Sequence, residues 1–128
     1  MADAVAAVQR AIVARLSAGL PVKVYDFVPP DAGDKYVSMG SHTVVDASAK
    51  DANGQELTVE VHQWDSTHRG RMGVLNLQSQ IYAALHNADL TLDGFGLTYI
   101  WYEFSTSFLD EDGLTMHGVM RFRVRTLG

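Results

Sequence analysis

The last part of the chain alternates apolar and cationic residues with a period of two. Between residues 120 and 125, methionine, phenylalanine and valine alternate with Arg121, Arg123 and Arg125. Successive side chains of a β-strand point to opposite faces of a sheet, so this pattern predicts a strand with one face in a core and three guanidinium groups on the other. The charged row is either solvated and paired with acids of neighbouring strands, or directed at another subunit or into a ring channel.

Two segments, residues 3–20 and 69–86, carry apolar residues at the spacing of an amphipathic helix. Asp3 is the predicted N-terminal acid of the first helix, and Ser66 or Thr67 is the predicted N-cap of the second. Both helices need a partner surface for their apolar stripes. The predicted stripes are Val5, Val8, Ile12 and Leu16 in the first helix and Val74, Leu77, Ile81 and Leu85 in the second.

The other segments have strand character and are separated by turn residues. They are residues 22–25, 36–39, 41–47, 55–64, 90–92, 97–109 and 114–126. Residues 51–54, which end in an Asn-Gly pair, are placed at the tip of a long hairpin, and the acidic stretch of residues 110–113 at a second tip. The sequence therefore predicts an α+β fold in the order α-β-β-β-β-α-β-β-β. Its single, mainly antiparallel sheet has both helices packed on one face, and residues 1–128 form one domain.

Composition excludes several classes of protein. The chain has no cysteine, which excludes disulfides, thiolate metal sites and a cysteine nucleophile. Its 10 basic and 15 acidic residues give a net charge of −5, the opposite of the balance in DNA-binding proteins. No apolar run is long enough to cross a bilayer, and Met1 is not followed by a basic segment typical of a signal peptide. We therefore expect no membrane partner.

The spacing of polar residues does not predict a metal or catalytic site. The five histidines contain no i, i+4 pair and no H-x-H pattern, so we expect them to be scattered and exposed or half-buried rather than to bind zinc. The acids of residues 110–113 are consecutive and lie between strands, unlike an EF-hand loop, and predict a solvated turn. The sequence contains neither a serine elbow nor a phosphate-binding glycine loop. We expect no cofactor and no metal.

One enzymatic alternative starts from two acids on predicted strands. Glu60 and Glu103 lie among aromatic residues. A small α+β cone with an internal acid and aromatic walls, here Tyr102 and Phe104, is typical of a ligand-binding protein or isomerase. The competing interpretation places both acids in the outward phase of their strands, paired across the sheet with arginines.

Residues 97–109 are apolar or aromatic in both strand phases near their middle. Since two helices cover one face of the sheet, we expect Tyr99, Trp101 and Trp64 to remain as an apolar patch on the other face. Such patches on small proteins mark contacts with other proteins. A dimerising domain of a cellular protein would also present one.

Several stretches, taken in order, resemble a known family. They are residues 6–12, 24–29 (VYDFVP), 36–40 (YVSMG), 55–65, 85–86 with 90–94, and 110–113 with 117–123 (HGVMRFR). Over nearly its whole length the sequence resembles the tail-completion, or tail-terminator, proteins of long-tailed bacteriophages, prophages and gene transfer agents. It departs from them at Lys35, where such sequences often have a proline.

The resemblance implies one sheet with two packed helices and a structural, non-enzymatic role. Members of the family form rings, usually of six subunits, that cap the tail tube, end its elongation and provide the joint to the head. The implied partners are other copies of the chain in a homohexameric ring, the major tail tube protein, and a head-completion or connector protein. DNA only passes through the ring as cargo. The implied location is the head–tail junction of the virion, after assembly in the bacterial cytoplasm.

Two surfaces are candidates for subunit or tube contacts. The hairpin of residues 44–56 is long and expected to be exposed, and the arginine row of the last strand is the second candidate. The family motifs define no catalytic residue, so none is predicted. The candidate contact residues are Val44, Val45, Lys50, Asn53, Glu56, Trp64, Tyr99, Trp101, Arg121, Arg123 and Arg125.

Overall fold

A computed structural model describes residues 3–67 and 70–128, which contain two helices and five strands. The helices are α1 (Val5–Gly19) and α2 (Met72–Leu85). The strands are β1 (Lys23–Tyr25), β2 (Lys35–Asp46), β3 (Gly54–Asp65), β4 (Gly96–Leu109) and β5 (Met116–Leu127). All five strands belong to one sheet in the order β1-β2-β3-β5-β4. The predicted α+β class is confirmed.

The sheet differs from the prediction in strand number and direction. The predicted strands 36–39 and 41–47 are one strand, β2, with a bulge between Met39 and His42. Residues 90–92 are not a strand, because Leu92 forms only an isolated bridge with Phe95. β1 pairs with β2 in parallel, whereas the other neighbouring strands are antiparallel. The order along the chain is therefore α-β-β-β-α-β-β.

Both helices pack on the same face of the sheet and bury their predicted stripes. α1 lies over β1 and β2, and α2 lies over β3, β5 and β4. Only Val5 of the predicted stripes is less than fully buried. Burying one large apolar side chain contributes about 1.5–3 kcal/mol, so this layer dominates the stability of the fold. From the sheet, the core contains Val37, Leu57, Val59, Val61, Ile100, Met120, Phe122 and Val124.

The helix starts differ in part from the prediction. Asp3 Oδ1 accepts a hydrogen bond from the first helical amide of α1 at 3.2 Å, so this acid lies just before the helix. α2 begins at Met72, and no side chain caps it, so the predicted caps Ser66 and Thr67 are wrong. The predicted start of this helix falls on residues 68–69, which lie outside the described residues.

The hairpin between β2 and β3 does not turn at the predicted Asn-Gly pair, residues 53–54. Ala49 and Ala52 bridge across the turn, so Lys50 and Asp51 occupy its tip. The glycine of the pair is buried at the start of β3, and neither residue of the pair has the positive φ that a type I′ turn requires. The predicted tip, residues 51–54, is therefore right for Asp51 and wrong for the Asn-Gly pair, because the two arms continue to pair as far as Ala49 and Ala52.

The hairpin between β4 and β5 turns at the predicted acidic tip. Asp112 accepts hydrogen bonds from the amides of Leu114 and Thr115, both at 2.8 Å, and Gly113 has a φ of +69°. The Thr115 hydroxyl and these amides lower the pKa of the Asp112 carboxyl. Within residues 3–67 and 70–128, no three His, Cys, Asp or Glu residues are grouped to hold a metal ion. Neither helix in that part of the chain is long and apolar enough to cross a membrane.

Candidate assembly surface

The side of the sheet away from the two helices, which we call the open face, is a grid of side chains. The strand registers arrange them in rows that cross β2, β3, β5 and β4. The first row is aromatic, the second carries His62, the third carries Glu60 and Arg121, and the last two combine charge with Trp101 and Tyr99. The rows are Tyr36, Trp64, His117 and Phe108; Ser38, His62, Val119 and Thr106; Glu60, Arg121 and Phe104; Thr43, Thr58, Arg123 and Trp101; and Val45, Glu56, Arg125 and Tyr99.

The aromatic row is continuous across four strands. The rings of Trp64 and His117 stack with centroids 3.7 Å apart, and Tyr36 stacks on the other side of Trp64 at 6.1 Å. Phe108 completes the row at 4.8 Å from His117. The Trp64 indole donates a hydrogen bond to the Ser38 hydroxyl at 2.9 Å, which fixes the ring on the sheet. This end of the open face is therefore a rigid apolar platform.

Two histidines meet beside the aromatic row. His62 Nδ1 lies 2.7 Å from His117 Nε2, and His62 Nε2 lies 3.0 Å from a carboxylate oxygen of Glu60. Burial lowers the pKa of His117, the adjacent His62 lowers it further, and Asp110 opposes both effects. A Cβ at Gly40 would overlap the His62 ring, so only glycine leaves room for it. The prediction of scattered histidines is wrong for this pair.

Two further described histidines do not join this pair. His42 is exposed on β2, and His86 accepts a hydrogen bond from the amide of Tyr102 at 3.0 Å. His68 lies outside the described residues. Among the described histidines, the cluster therefore consists of His62 and His117, which lie 55 positions apart in sequence.

Acids and arginines form a connected network in the middle of the open face. Glu103 accepts hydrogen bonds from Arg121 Nε at 2.7 Å and from Arg123 Nε at 2.6 Å. Arg123 also lies 3.3 Å from Glu56, which accepts a hydrogen bond from the Tyr99 hydroxyl at 3.0 Å. The Arg123 hydrogen bond lowers the pKa of Glu103, with Arg121 adding to it, and the Tyr99 and Arg123 hydrogen bonds lower that of Glu56. Cross-strand pairing of Glu103 with the arginines is confirmed.

The hypothetical acid-containing pocket is not formed. Tyr102 belongs to the helix-covered face, where its ring packs against Phe122 at 6.0 Å. Glu103 lies on the open face, because a bulge between Tyr102 and Phe104 sets the register there. Glu60 is on the same face, bonded to His62. The proposed acids and Tyr102 therefore line no common cavity, and the enzymatic alternative loses its geometry.

Most of the predicted contact residues lie together on the open face. These are Val45, Glu56, Trp64, Tyr99, Trp101, Arg121, Arg123 and Arg125. Val44, on β2, has the opposite strand phase, and Lys50 and Asn53 lie in the exposed turn before β3. The Arg125 guanidinium donates a hydrogen bond to the Ala47 carbonyl at 3.1 Å, which connects that turn to the open face.

Aromatic residues at the outer edge of the open face remain accessible. Tyr99 and Trp101 stack at 4.0 Å, and 48% of Trp101 is exposed. Phe104 and Phe108 are each 41% exposed, and the Arg121 guanidinium lies 5.0 Å from the Phe104 ring centroid. Phe104 and Phe108 are not among the predicted contact residues, although both are aromatic residues of the long strand that contains Trp101.

An uncovered sheet face of this kind defines a class of protein. Its exposed aromatic and arginine side chains are the types enriched in protein–protein interfaces, and they lie on a rigid sheet rather than around a cavity. The fold and surface are those of a protein that acts by contact with other proteins.

Comparisons with known proteins define this class more closely. The chain belongs to the family described as Tail completion protein gp17, which matches residues 3–127. It is 26% identical over 122 residues to the tail completion protein gp17 of Bacillus phage SPP1, covering 91% of this chain and 90% of that protein. A chain in the virion of a native gene transfer agent particle has the same fold, with a TM-score of 0.88, 26% identity and complete coverage of both chains. The chain is a structural tail protein of virions, which confirms the resemblance found in the sequence.

Proposed function

We propose that this chain forms a ring on the end of a tail tube, stops elongation of the tube and provides the joint to the head. The observation that carries the proposal is the whole-chain match to a subunit of an assembled gene transfer agent virion. The open face gives the proposal a surface, because its aromatic and arginine side chains have no covering element in the described part of the chain. A completed ring ends a polymer because it presents no site for the next tube subunit.

Charge sets a requirement on such a ring. A six-membered ring repeats the net charge of −5 six times, so attractive contacts must offset self-repulsion. On the open face the charges are already balanced, because Arg121 and Arg123 share Glu103 and Arg123 also meets Glu56. An interface on this face therefore brings subunits together without adding uncompensated charge.

The proposed partners follow from this role. Other copies of the chain form the ring, here proposed as a hexamer, the major tail tube protein contacts one side, and a head-completion or connector protein contacts the other. DNA passes through the channel without being bound in sequence-specific fashion. The ring lies at the head–tail junction of the virion, and its subunits assemble in the bacterial host cytoplasm. No catalysis, metal or cofactor enters the proposal.

Deletion of the gene in the producing phage or gene transfer agent tests the proposal. We expect tails of uncontrolled length without attached heads, seen by electron microscopy, and restoration of normal particles by the wild-type chain. Trp101→Glu on the open face should fail to restore them, whereas Ala14→Glu, at an exposed position of α1, should restore them. Tails of normal length joined to heads after deletion would contradict the proposed function.

The hairpin between β2 and β3 is tested separately. Its turn is exposed from residue 48 to residue 53, and we propose that it contacts the neighbouring subunit or the tube. Replacing residues 48–52 by a shorter turn leaves Gly54 and the rest of β3 in place. Reduced infectivity with a stable fold supports the contact. Normal tail length and infectivity would remove the hairpin from the contact surface.

A further inference from the structure

The outer edge of β2 is half covered. β1 pairs with β2 only from Tyr36 to Ser38. Residues 41–46 pair with β3 on one side, and no described strand pairs with them on the other. All six of these residues are exposed, and Val45 is 57% exposed. The free half of β2 therefore presents unpaired backbone donors and acceptors together with apolar side chains.

The outer edge of β4, on the opposite side of the sheet, is also half covered. Here the turn after α2 supplies the cover, because His86 Nδ1 accepts from the amide of Tyr102 at 3.0 Å and the amide of Asn87 donates to the carbonyl of Ile100 at 2.9 Å. Farther along, Gln78 on α2 donates to the carbonyl of Thr106 at 3.0 Å. No described strand pairs with residues 105–109 on their outer side.

Apart from the Gln78 side chain on the Thr106 carbonyl, neither free half carries the usual protection of an edge strand. Monomeric proteins protect such edges with lysine, proline or a covering element, because an unprotected edge accepts a strand of another chain. Residues 41–46 and 105–109 contain no Lys, Arg or Pro, and their one formal charge is Asp46. Phe108 and Leu109 are 41% and 53% exposed. Both edges are therefore equipped to pair with another strand.

The two covering segments are β1, on the edge of β2, and the turn after α2, on the edge of β4. They lie at opposite ends of the sheet. The β1 cover lies beside the aromatic row, since Tyr36 pairs with Trp64. The cover on β4 lies near the other end, since Ile100 pairs with Val124. If two copies met edge to edge without displacement, each free half would face the cover of the other copy. The free halves meet only when one copy is displaced along the strand direction.

We propose that, in the ring, residues 105–109 of one copy pair with residues 41–46 of the next copy, with this displacement between them. The inference rests on the proposed function and names the partner of these two edges as a second copy. β2 and β4 run antiparallel in the chain, so copies related by rotation about a ring axis present them antiparallel, the direction in which most neighbouring strands of this sheet pair. Because each contact uses two different edges, it is heterologous, and such contacts generate a ring when the rotation between copies closes. The displacement tilts the strands against the ring axis, as closed sheets require.

Introduced cysteines test this pairing in assembled particles, because the chain contains no cysteine of its own. Val45 and Thr106 both belong to the open face, so Val45→Cys with Thr106→Cys places thiols on the same side of the proposed junction. Val45→Cys with Tyr99→Cys is the matched control for pairing without displacement, since these residues share a row. Each single variant is a second control. After mild oxidation, disulfide-linked oligomers are counted on a non-reducing gel.

We expect a ladder of linked chains from the Val45→Cys, Thr106→Cys variant and none from either single variant. A ladder from the Tyr99→Cys control instead, or linked dimers from Thr106→Cys alone, would overturn the proposed pairing. Particles that contain the Val45→Cys, Thr106→Cys variant without cross-links would overturn it and leave the ring proposal intact. Absence of the wild-type chain from particles would instead refute the proposed function.

Hydrogen exchange on the wild-type chain gives a readout independent of the cysteines. Pairing of the two edges should slow exchange of amides in residues 41–46 and 105–109 by about tenfold or more between the free and the assembled chain. The amide of Tyr102 serves as the control, because it already donates to His86 Nδ1 in the isolated chain. Unchanged exchange in both free halves on assembly would contradict the inference even if the cysteine variants fail to assemble.

Discussion

The two faces of β5 show how one strand can divide stability from assembly. Phe122 and Val124 are fully buried under the helices, whereas Arg121 and Arg123, their neighbours in sequence, lie on the open face in contact with Glu103. The two apolar side chains have no contact with water in the isolated chain. The two arginines keep part of their surface exposed to a partner. A shift of one residue therefore separates positions that hold the fold from positions that can join subunits.

The largest expected effect is loss of the buried ring. Phe122→Ala should lower the free energy of unfolding by about 3–5 kcal/mol, because it removes buried apolar surface and leaves a cavity. Phe104→Ala, on the open face with 41% of Phe104 exposed, is the matched control and should cost less than about 1.5 kcal/mol. Urea unfolding of both variants measures the contrast. Equal costs would show that the two faces do not differ as described.

A smaller loss of stability is expected at Gly118, which lies on the helix-covered face of β5 close to polar side chains of β3 and α2. A Cβ at Gly118 would lie 2.5 Å from both Gln63 Oε1 and Val74 Cγ1, so Gly118→Ala should lower the free energy of unfolding by about 1–3 kcal/mol. Gly19→Ala has open space around it and should change stability by less than about 1 kcal/mol. Thermal unfolding compares the two. A neutral Gly118→Ala would mean that Gln63 and Gln78 rearrange freely.

The charged network on the open face should contribute less to the free energy of unfolding, and it should do so only while Glu103 is ionised. The pKa of Glu103 is lowered chiefly by Arg123, so its contribution is present above the carboxyl's usual range and is lost as pH falls through the lowered value. Glu103→Gln should cost about 1 kcal/mol or less near neutral pH, and the difference from wild type should disappear in acid. Glu111→Gln on the exposed tip is the control. A difference that persists unchanged in acid would refute this account.

Burial of His117 should make stability depend on pH more weakly than the Glu103 ion pairs do. The cause is the desolvation of an imidazole rather than the pairing of a carboxylate. Burial lowers the pKa of His117, so the unfolded chain binds the proton more readily than the folded chain just below pH 6.5. Stability should therefore fall as pH drops below this value and be unaffected above it. His117→Gln should flatten this part of a melting-temperature profile, whereas His42→Gln, at an exposed position, should not. A profile unchanged by His117→Gln would show that His117 does not titrate as described.

The smallest effect on stability is expected at the position with the largest expected effect on assembly. Trp101→Ala removes a ring that is 48% exposed, so its effect on the free energy of unfolding should be less than about 1 kcal/mol. Incorporation of the chain into particles, measured by immunoblotting, should nevertheless fall severalfold. Normal incorporation would exclude Trp101 from the contact surface and confine assembly to other parts of the molecule.

Features that depend on local periodicity could be predicted from the sequence. The stripes of both helices and the outward phase of Arg121, Arg123 and Arg125 follow from spacing, and the pairing of Glu103 follows from that phase. The resemblance to tail-completion proteins rested on motifs spread along the chain, and the family match over residues 3–127 confirms it.

Features that depend on register could not be predicted in this way. His62 and His117 meet because β3 and β5 pair in one particular register over 55 positions of sequence, which no local spacing reveals. The turn at Lys50 and Asp51 replaces the expected Asn-Gly turn because pairing continues to Ala49 and Ala52. In the same way, Gly40 lies at a bulge through which β2 continues. The structure therefore has one strand where the sequence predicted two.

The bend at Asn87 limits how much of the β4 edge is open to another strand. Asn87 has a φ of +57°, a left-handed conformation that asparagine tolerates better than most residues, and this bend directs its amide at the carbonyl of Ile100. A β4 edge that was free along its whole length would accept strands at many offsets, and exposed edges of that kind lead to fibrous aggregation. By occupying one stretch of the edge, His86 and Asn87 leave only the remaining stretch of β4 open to a second strand.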